Sequence, residues 1–175
     1  MHILTQSQFD ELMNQASIRP RMKREVRFMQ SVGTLSPEVW ADTEVLAVSD
    51  RSGNKGVLLL DSGDALYGVS YELSRGITSS TGKAQPIICD FCRTWQTGSR
   101  SGSVTLTKPA RDSGSVTFLC CADLECSRHV RNLTSAAKTS RSQLREDMSS
   151  EERVKRLRRR TQEISELVGL SPVSL

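Results

Sequence analysis

Apolar and polar positions follow two rhythms along the chain. Over residues 1–35 the apolar positions step by three and four. Phe9, Leu12 and Met13 share one helical face, with Ser7 placed to cap the helix and Asp10 at its third position. Pro20 starts or interrupts a second helical segment carrying Met22, Val26 and Met29, which Gly33 and Pro37 close. Beyond residue 43 the pattern becomes short β-rich runs. Val45–Val48, Gly56–Leu60 and Ala65–Leu73 are parted by the polar turns Asp50–Lys55 and Asp61–Asp64. Runs of this length between turn signals predict an antiparallel meander. A Gly/Ser/Thr/Pro connector spans residues 75–86. Two alternating strands follow, Ser103–Thr107 and Ser115–Leu119, about a turn from Pro109 to Gly114; Gly98–Gly102 reads as a flexible hairpin tip. Residues 127–148 begin as a helix and lose periodicity across Thr134–Gln143.

The clearest helix comes last. In Ser149-Ser150-Glu151-Glu152 the Ser149 hydroxyl can accept from the Glu152 amide while the Glu152 carboxylate reaches back, a capping box. Val154, Leu157, Thr161, Ile164, Leu167 and Val168 then form a stripe, and Gly169 and Pro172 end the helix. The expected fold class is α+β. A short helical N-terminus (1–35) is followed by an antiparallel β-meander with its connector (36–85). A unit containing the second pair of strands (86–148) and a C-terminal basic amphipathic helix (149–175) complete the chain, with 36–168 as one compact domain.

The 175 residues suit one domain or one domain plus an appendage. Leu, Ile, Val and Phe number 41, enough for a core, but aromatics are only 5% of the chain, so something besides packing is expected to help hold it together. No apolar run approaches the ~18 residues of a membrane span. Met1–Gln6 lacks a basic stretch followed by an apolar one, so no signal peptide is expected and the cytoplasm is the expected compartment. There, clustered cysteines point to metal or redox chemistry rather than disulfides.

Four of the five cysteines form two pairs: Cys89-x-x-Cys92 and, after 28 residues, Cys121-x4-Cys126. A C-x-x-C turn aims two thiolates at one point, and the predicted hairpin can return the second pair to it. Asp123 is a candidate N-cap, which places Cys126 in the first turn of a helix, where free amides suit an anionic zinc–tetrathiolate. Knuckle, hairpin and helix in that order describe a treble-clef zinc finger. The candidate zinc ligands are Cys89, Cys92, Cys121 and Cys126. Neighbours on a strand face opposite ways, so only one of Cys120 and Cys121 can ligate; Cys121 gives the shorter loop into the helix. His129, three residues after Cys126, is an alternative ligand or a packing histidine. A thioredoxin-like redox reading of Cys89 and Cys92 lacks a following helix, and a catalytic zinc would need an open position that four thiols fill.

Cys121-Ala122-Asp123-Leu124-Glu125-Cys126-Ser127, with Val130-Arg131 after it, resembles the C-A-D-L-x-C-S…V-R signature of the FBP-type treble-clef family, shared with the elongation factor G-binding, FusB-type proteins. Cys89-Asp90-Phe91-Cys92 is similar to that family's knuckle. Trp40 to Arg51 and the strands after it resemble the preceding segment in its actinobacterial branch. The helix from Ser149 to Leu157 resembles the family's C-terminal helix, so the likeness spans roughly residues 36–168. It implies a structural zinc site and a binding function in translation, with elongation factor G or the ribosome as partner, rather than catalysis. Cys120 and the run Arg158-Arg159-Arg160 depart from the family pattern.

From Arg128 to Arg160 there are 11 Lys/Arg against 4 Asp/Glu, whereas the whole chain is only +4. Arg153, Arg156, Arg158, Arg159 and Arg160 on the last helix are candidate partner-binding residues. They form either a solvated cationic face or a contact for phosphates, ribosomal RNA above all, or for an acidic protein surface, which leaves an RNA- or nucleic-acid-binding zinc finger as the second function. Phe91 and Trp95 are the aromatics near the knuckle, as packing residues or as platforms for bases. Neither His2 nor His129 sits in a motif with a nucleophile and a carboxylate, and no Gly-rich phosphate loop is present. The sequence therefore predicts no enzyme and no small-molecule substrate.

Overall fold

Five consecutive residues of one strand, Gly56 to Leu60, are buried, and this double-sided burial organises the molecule. In the computed structural model, which describes residues 1–16, 18, 20–26, 35–109 and 114–174, β1 (Val45–Ser49), β2 (Lys55–Asp61) and β3 (Leu66–Arg75) form the meander. β6 (Ser101–Thr107) and β7 (Ser115–Cys121) join it in one antiparallel sheet of order β1-β2-β3-β6-β7. The expected boundary at residue 85 therefore falls within one sheet, because β3 pairs with β6.

Strand alternation sends Val57 and Leu59 to one face and Leu58 and Leu60 to the other. The first face is covered by α1 (Gln6–Gln15), α2 (Pro20–Glu25) and α3 (Pro37–Ala41), which contribute Phe9, Leu12, Met13, Met22 and Trp40. Gly68 on β3 lets α1 approach: a Cβ there would lie 3.0 Å from Leu12 Cδ2. The second face carries Val69, Tyr71, Val104, Leu106 and Phe118, and α6 (Ser150–Val168) closes it with Leu157, Ile164 and Val168. Three layers result.

Local chemistry shifts several expected boundaries. α1 is capped by Thr5 rather than Ser7: its hydroxyl accepts from the Gln8 amide at 3.2 Å and Gln8 Oε1 accepts from the Thr5 amide at 3.0 Å, so the helix starts earlier. Pro37 opens a helix instead of closing one, because Ser36 caps it and Pro at the first position has no amide to waste. Met29, Gly33 and the interior of the Pro109–Gly114 turn lie outside the described residues. Gly98 is part of a short 3₁₀ turn (Gly98–Arg100) against Ala84, not a flexible hairpin tip. The expected helix at the start of residues 127–148 is α4 (Cys126–Val130), and the aperiodic stretch across Thr134–Gln143 is a second helix, α5 (Ser135–Leu144). The buried side of α5 is Ala136, Ala137 and Ser140, too small to register as a hydrophobic stripe. The capping box of α6 and its left-handed Gly169 terminus are as the sequence predicts, but Leu167 is 62% exposed and Arg153 and Ser165 are buried instead.

Candidate metal centre

Two short strands, β4 (Ile87–Ile88) and β5 (Trp95–Gln96), pair antiparallel and form the stem of the Cys89–Cys92 turn. The Cys89 amide donates to the Thr94 carbonyl at 3.0 Å and the Arg93 amide to the Cys89 carbonyl at 3.0 Å. Arg93 takes a left-handed conformation, φ 60°, to turn the chain. The knuckle is pinned to the sheet by Asp90, whose amide donates to the Leu119 carbonyl at 2.8 Å while its Oδ2 accepts from the Leu119 amide at 2.7 Å. Phe91 is fully buried edge-on to Phe118, with ring centroids 5.9 Å apart, and so serves packing.

The second half of the centre comes from the end of β7. Leu124 is also left-handed, φ 56°, and its amide donates to the Cys121 carbonyl at 3.0 Å. Asp123 does not cap α4; Glu125 holds that position, and Asp123 Oδ1 instead accepts from the Glu125 amide at 3.0 Å. Cys126 still opens the helix. Cys121 lies opposite Ser101 and Cys120 opposite Gly102 in the β6–β7 ladder, and the alternation turns only Cys121 toward the knuckle.

All four predicted ligands, Cys89, Cys92, Cys121 and Cys126, converge with their Sγ atoms within 4.8 Å of one another. Cys89 Sγ is 3.8 Å from Cys126 Sγ, and Cys92 Sγ is 3.5 Å from Cys121 Sγ. A disulfide would need ~2.05 Å. A tetrahedron with Zn–S bonds of ~2.3 Å has edges of about 3.8 Å. The donor set therefore fits zinc by chemistry and by size.

The crowded thiols also shift one another. Burial raises the Cys89 thiol, but hydrogen bonds from Cys121, Cys126 and Cys92 outweigh it and hold Cys89 well below its ordinary value. Those bonds, reinforced by burial, push Cys126 well above. The thiols alone favour one thiolate and penalise the next. A dication removes that penalty for all four. Burial, with the nearby Cys89 and Cys92 charges, pushes Cys120 up and keeps it a protonated core residue.

The surrounding shell is built from side chains that motif reading passes over. Gln96, 1% exposed, donates from Nε2 to Cys121 Sγ at 3.1 Å. His129 is fully buried but stands outside the four-thiol set: Nδ1 lies 2.6 Å from Thr134 Oγ1 and Nε2 lies 3.2 Å from Asp123 Oδ1. It ties the Asp123 turn to the cap of α5.

The profile of the FBP C-terminal treble-clef zinc-finger family matches residues 15–168. The chain belongs to this family. Comparison of the chain with curated proteins and with solved structures found no match. The FBP signature residues have structural work in this fold. Ser127 Oγ accepts from the amides of Glu44 and Val45 at 2.8 and 3.0 Å, and Arg131 grips the Glu44 carboxylate. These contacts tie the zinc-bearing helix of the FBP finger to β1.

The predicted cationic surface on α6 is largely spent on the protein itself. Arg153 is buried, 3% exposed, against Asn132, Ser149 and Ser150, which corrects its placement on the surface. Arg156 pairs with Glu146 at 2.6 Å and Arg158 reaches Glu44 at 3.4 Å. Arg160 donates to the Asp90 carbonyl at 3.0 Å and pairs with Glu163 at 2.5 Å. Arg159 is mostly open, 3.5 Å from Glu163. The helix brings cations to the sheet and the knuckle, where carboxylates and carbonyls consume them. No helix among the described residues is long and apolar enough to cross a membrane.

Proposed function

We propose that the protein is a non-catalytic, cytoplasmic translation-associated factor that binds elongation factor G, with zinc holding its binding surface in shape. The observation carrying the non-catalytic part is burial: Cys89, Cys92, Cys121 and Cys126 are each at most 1% exposed. A centre closed by four sulfurs has no position for substrate or water, which is the arrangement of a structural zinc. The metal then supplies folding energy, because a site assembled from a knuckle and a distant helix is absent from the unfolded chain.

The partner rests on the resemblance of Cys121–Ser127 and Val130-Arg131 to FusB-type proteins, strengthened by membership of the FBP family. The test is a calorimetric titration of the zinc-loaded protein into purified elongation factor G. A saturable one-to-one isotherm supports the reading. No heat and no complex, with zinc confirmed in the sample, rejects elongation factor G as partner.

A further inference from the structure

From Arg128 to Arg145 the chain carries five Lys/Arg and no Asp/Glu. Arg128 is taken by Glu125 at 2.7 Å and Arg131 by Glu44 at 2.8 Å. Lys138, Arg141 and Arg145 are exposed and, among the described residues, have no salt-bridge partner. At about 100° per residue the three lie within a ~60° arc of α5 and its cap, opposite the buried Ala136 and Ser140. Ser135 and Ser142 flank the stripe, and Arg100 joins it at the helix start by donating to Ser135 Oγ at 3.1 Å. Of the acids next in sequence, Glu146 is bound to Arg156 and Asp147 is exposed beyond the cap.

A notch of about 120 Å³ lies further around α5, lined by Trp95, Arg100, Ser135, Ala136 and Thr139 among others, and Arg100 links it to the stripe. A half-buried tryptophan, Trp95, forms part of its wall.

We propose that the α5 face, through Arg100, Lys138, Arg141 and Arg145, binds the phosphate backbone of a single-stranded nucleic acid. The half-buried Trp95, which lines the notch together with Arg100, offers a base a stacking face. Unpaired cations on a hydroxyl-rich helix near an aromatic match what a single strand offers: regularly spaced phosphates and a flat base face. The site uses cations other than the α6 arginines, although Arg141 is close enough for its charge to act on Arg153, and it does not depend on elongation factor G being the partner.

Fluorescence anisotropy of the full-length zinc-loaded protein with a labelled 20-nucleotide single-stranded RNA tests the proposal. The same sequence as DNA, an RNA duplex and a polyglutamate competitor run alongside. Salt-dependent binding is expected, with a log–log slope of about −3 for four phosphates at ~0.7 each. The triple variant Lys138→Ala/Arg141→Ala/Arg145→Ala reduces the slope by about 2 and weakens binding about tenfold or more, with zinc content and circular dichroism unchanged. Arg24→Ala, an exposed cation on α2 across the sheet, leaves both affinity and slope as they were. Preference for RNA or for DNA identifies the strand. No binding at low salt overturns the proposal, as does affinity insensitive to the triple variant. Tighter binding of the duplex overturns the single-strand assignment, and equal displacement by polyglutamate assigns the face to an acidic protein instead. The calorimetric result with elongation factor G is read separately on this triple variant, so the two readings fail independently.

Discussion

Arg131 holds Glu44 end-on: Nη1 lies 2.8 Å from Oε2 and Nη2 lies 2.8 Å from Oε1, across 87 residues of sequence. The carboxylate is fully buried, and Arg158 Nη2 approaches Oε1 from α6 at 3.4 Å. One acid at the start of β1 therefore gathers the zinc-bearing helix and the C-terminal helix. A buried bidentate pair is satisfied only as long as both partners are present. Arg131→Ala leaves Glu44 with one more distant cation and is expected to lower stability by about 3 kcal/mol, measured by urea unfolding. Glu44→Gln/Arg131→Met removes both charges and is expected to recover part of the loss. A single variant within ~0.5 kcal/mol of the parent would show that the pair is not coupled to folding.

Zinc should follow Cys121 and ignore Cys120. Cys121→Ser removes one corner of the thiolate set, so the purified protein is expected to hold less than stoichiometric zinc and to lose its cooperative unfolding transition. Cys120→Ser is expected to keep one zinc per chain, since that thiol faces the core between β7 and its neighbours. Zinc release measured with a colorimetric chelator distinguishes them. Loss of metal from the Cys120 variant with retention in the Cys121 variant would reverse the assignment.

Much of this architecture is visible in the residue pattern, and the exceptions share a physical cause. The meander, the C-x-x-C turn, the Ser149–Glu152 capping box and the ligand choice at Cys121 depend on local chemistry, so periodicity and spacing reveal them. α5 escapes because its buried side is Ala136, Ala137 and Ser140, which carry no hydrophobic signal. Glu44, Gln96 and Arg153 escape because a polar residue in a sequence reads as surface; only tertiary structure shows that each is buried against a partner. The one available signal was the signature's Ser127 and Arg131, whose presence beside a zinc ligand invited the question of what they hold.

Gln96 deserves a direct test of its bond to sulfur. The Nε2 donor stabilises negative charge on Cys121 at 3.1 Å and is part of the shell that orients the ligand. Gln96→Leu is expected to weaken zinc binding about tenfold while leaving the far-ultraviolet circular dichroism unchanged. Competition against a chelator of known affinity reads the change. Gln96→Glu, which sets a carboxylate against the thiolates, is expected to weaken it further.

The arginine run of α6 separates into opposite behaviours within one helix. Arg153 donates to Asn132 Oδ1 at 3.0 Å, and Asn132 holds a left-handed conformation, φ 59°, in the turn between α4 and α5. Burial lowers the Arg153 guanidinium from its ordinary value, a sign that the charge is desolvated. Truncating it removes the side chain that bridges α6 to that turn and leaves the Asn132 carbonyl without this donor. Arg153→Ala is expected to cost about 2 kcal/mol, whereas Arg159→Ala, with its side chain mostly in solvent, stays within ~0.5 kcal/mol. Urea unfolding of the two variants side by side decides whether the run is a surface or a brace: equal effects would return Arg153 to the surface, and a loss confined to Arg153 ties the start of α6 to the loop that carries the zinc helix into α5.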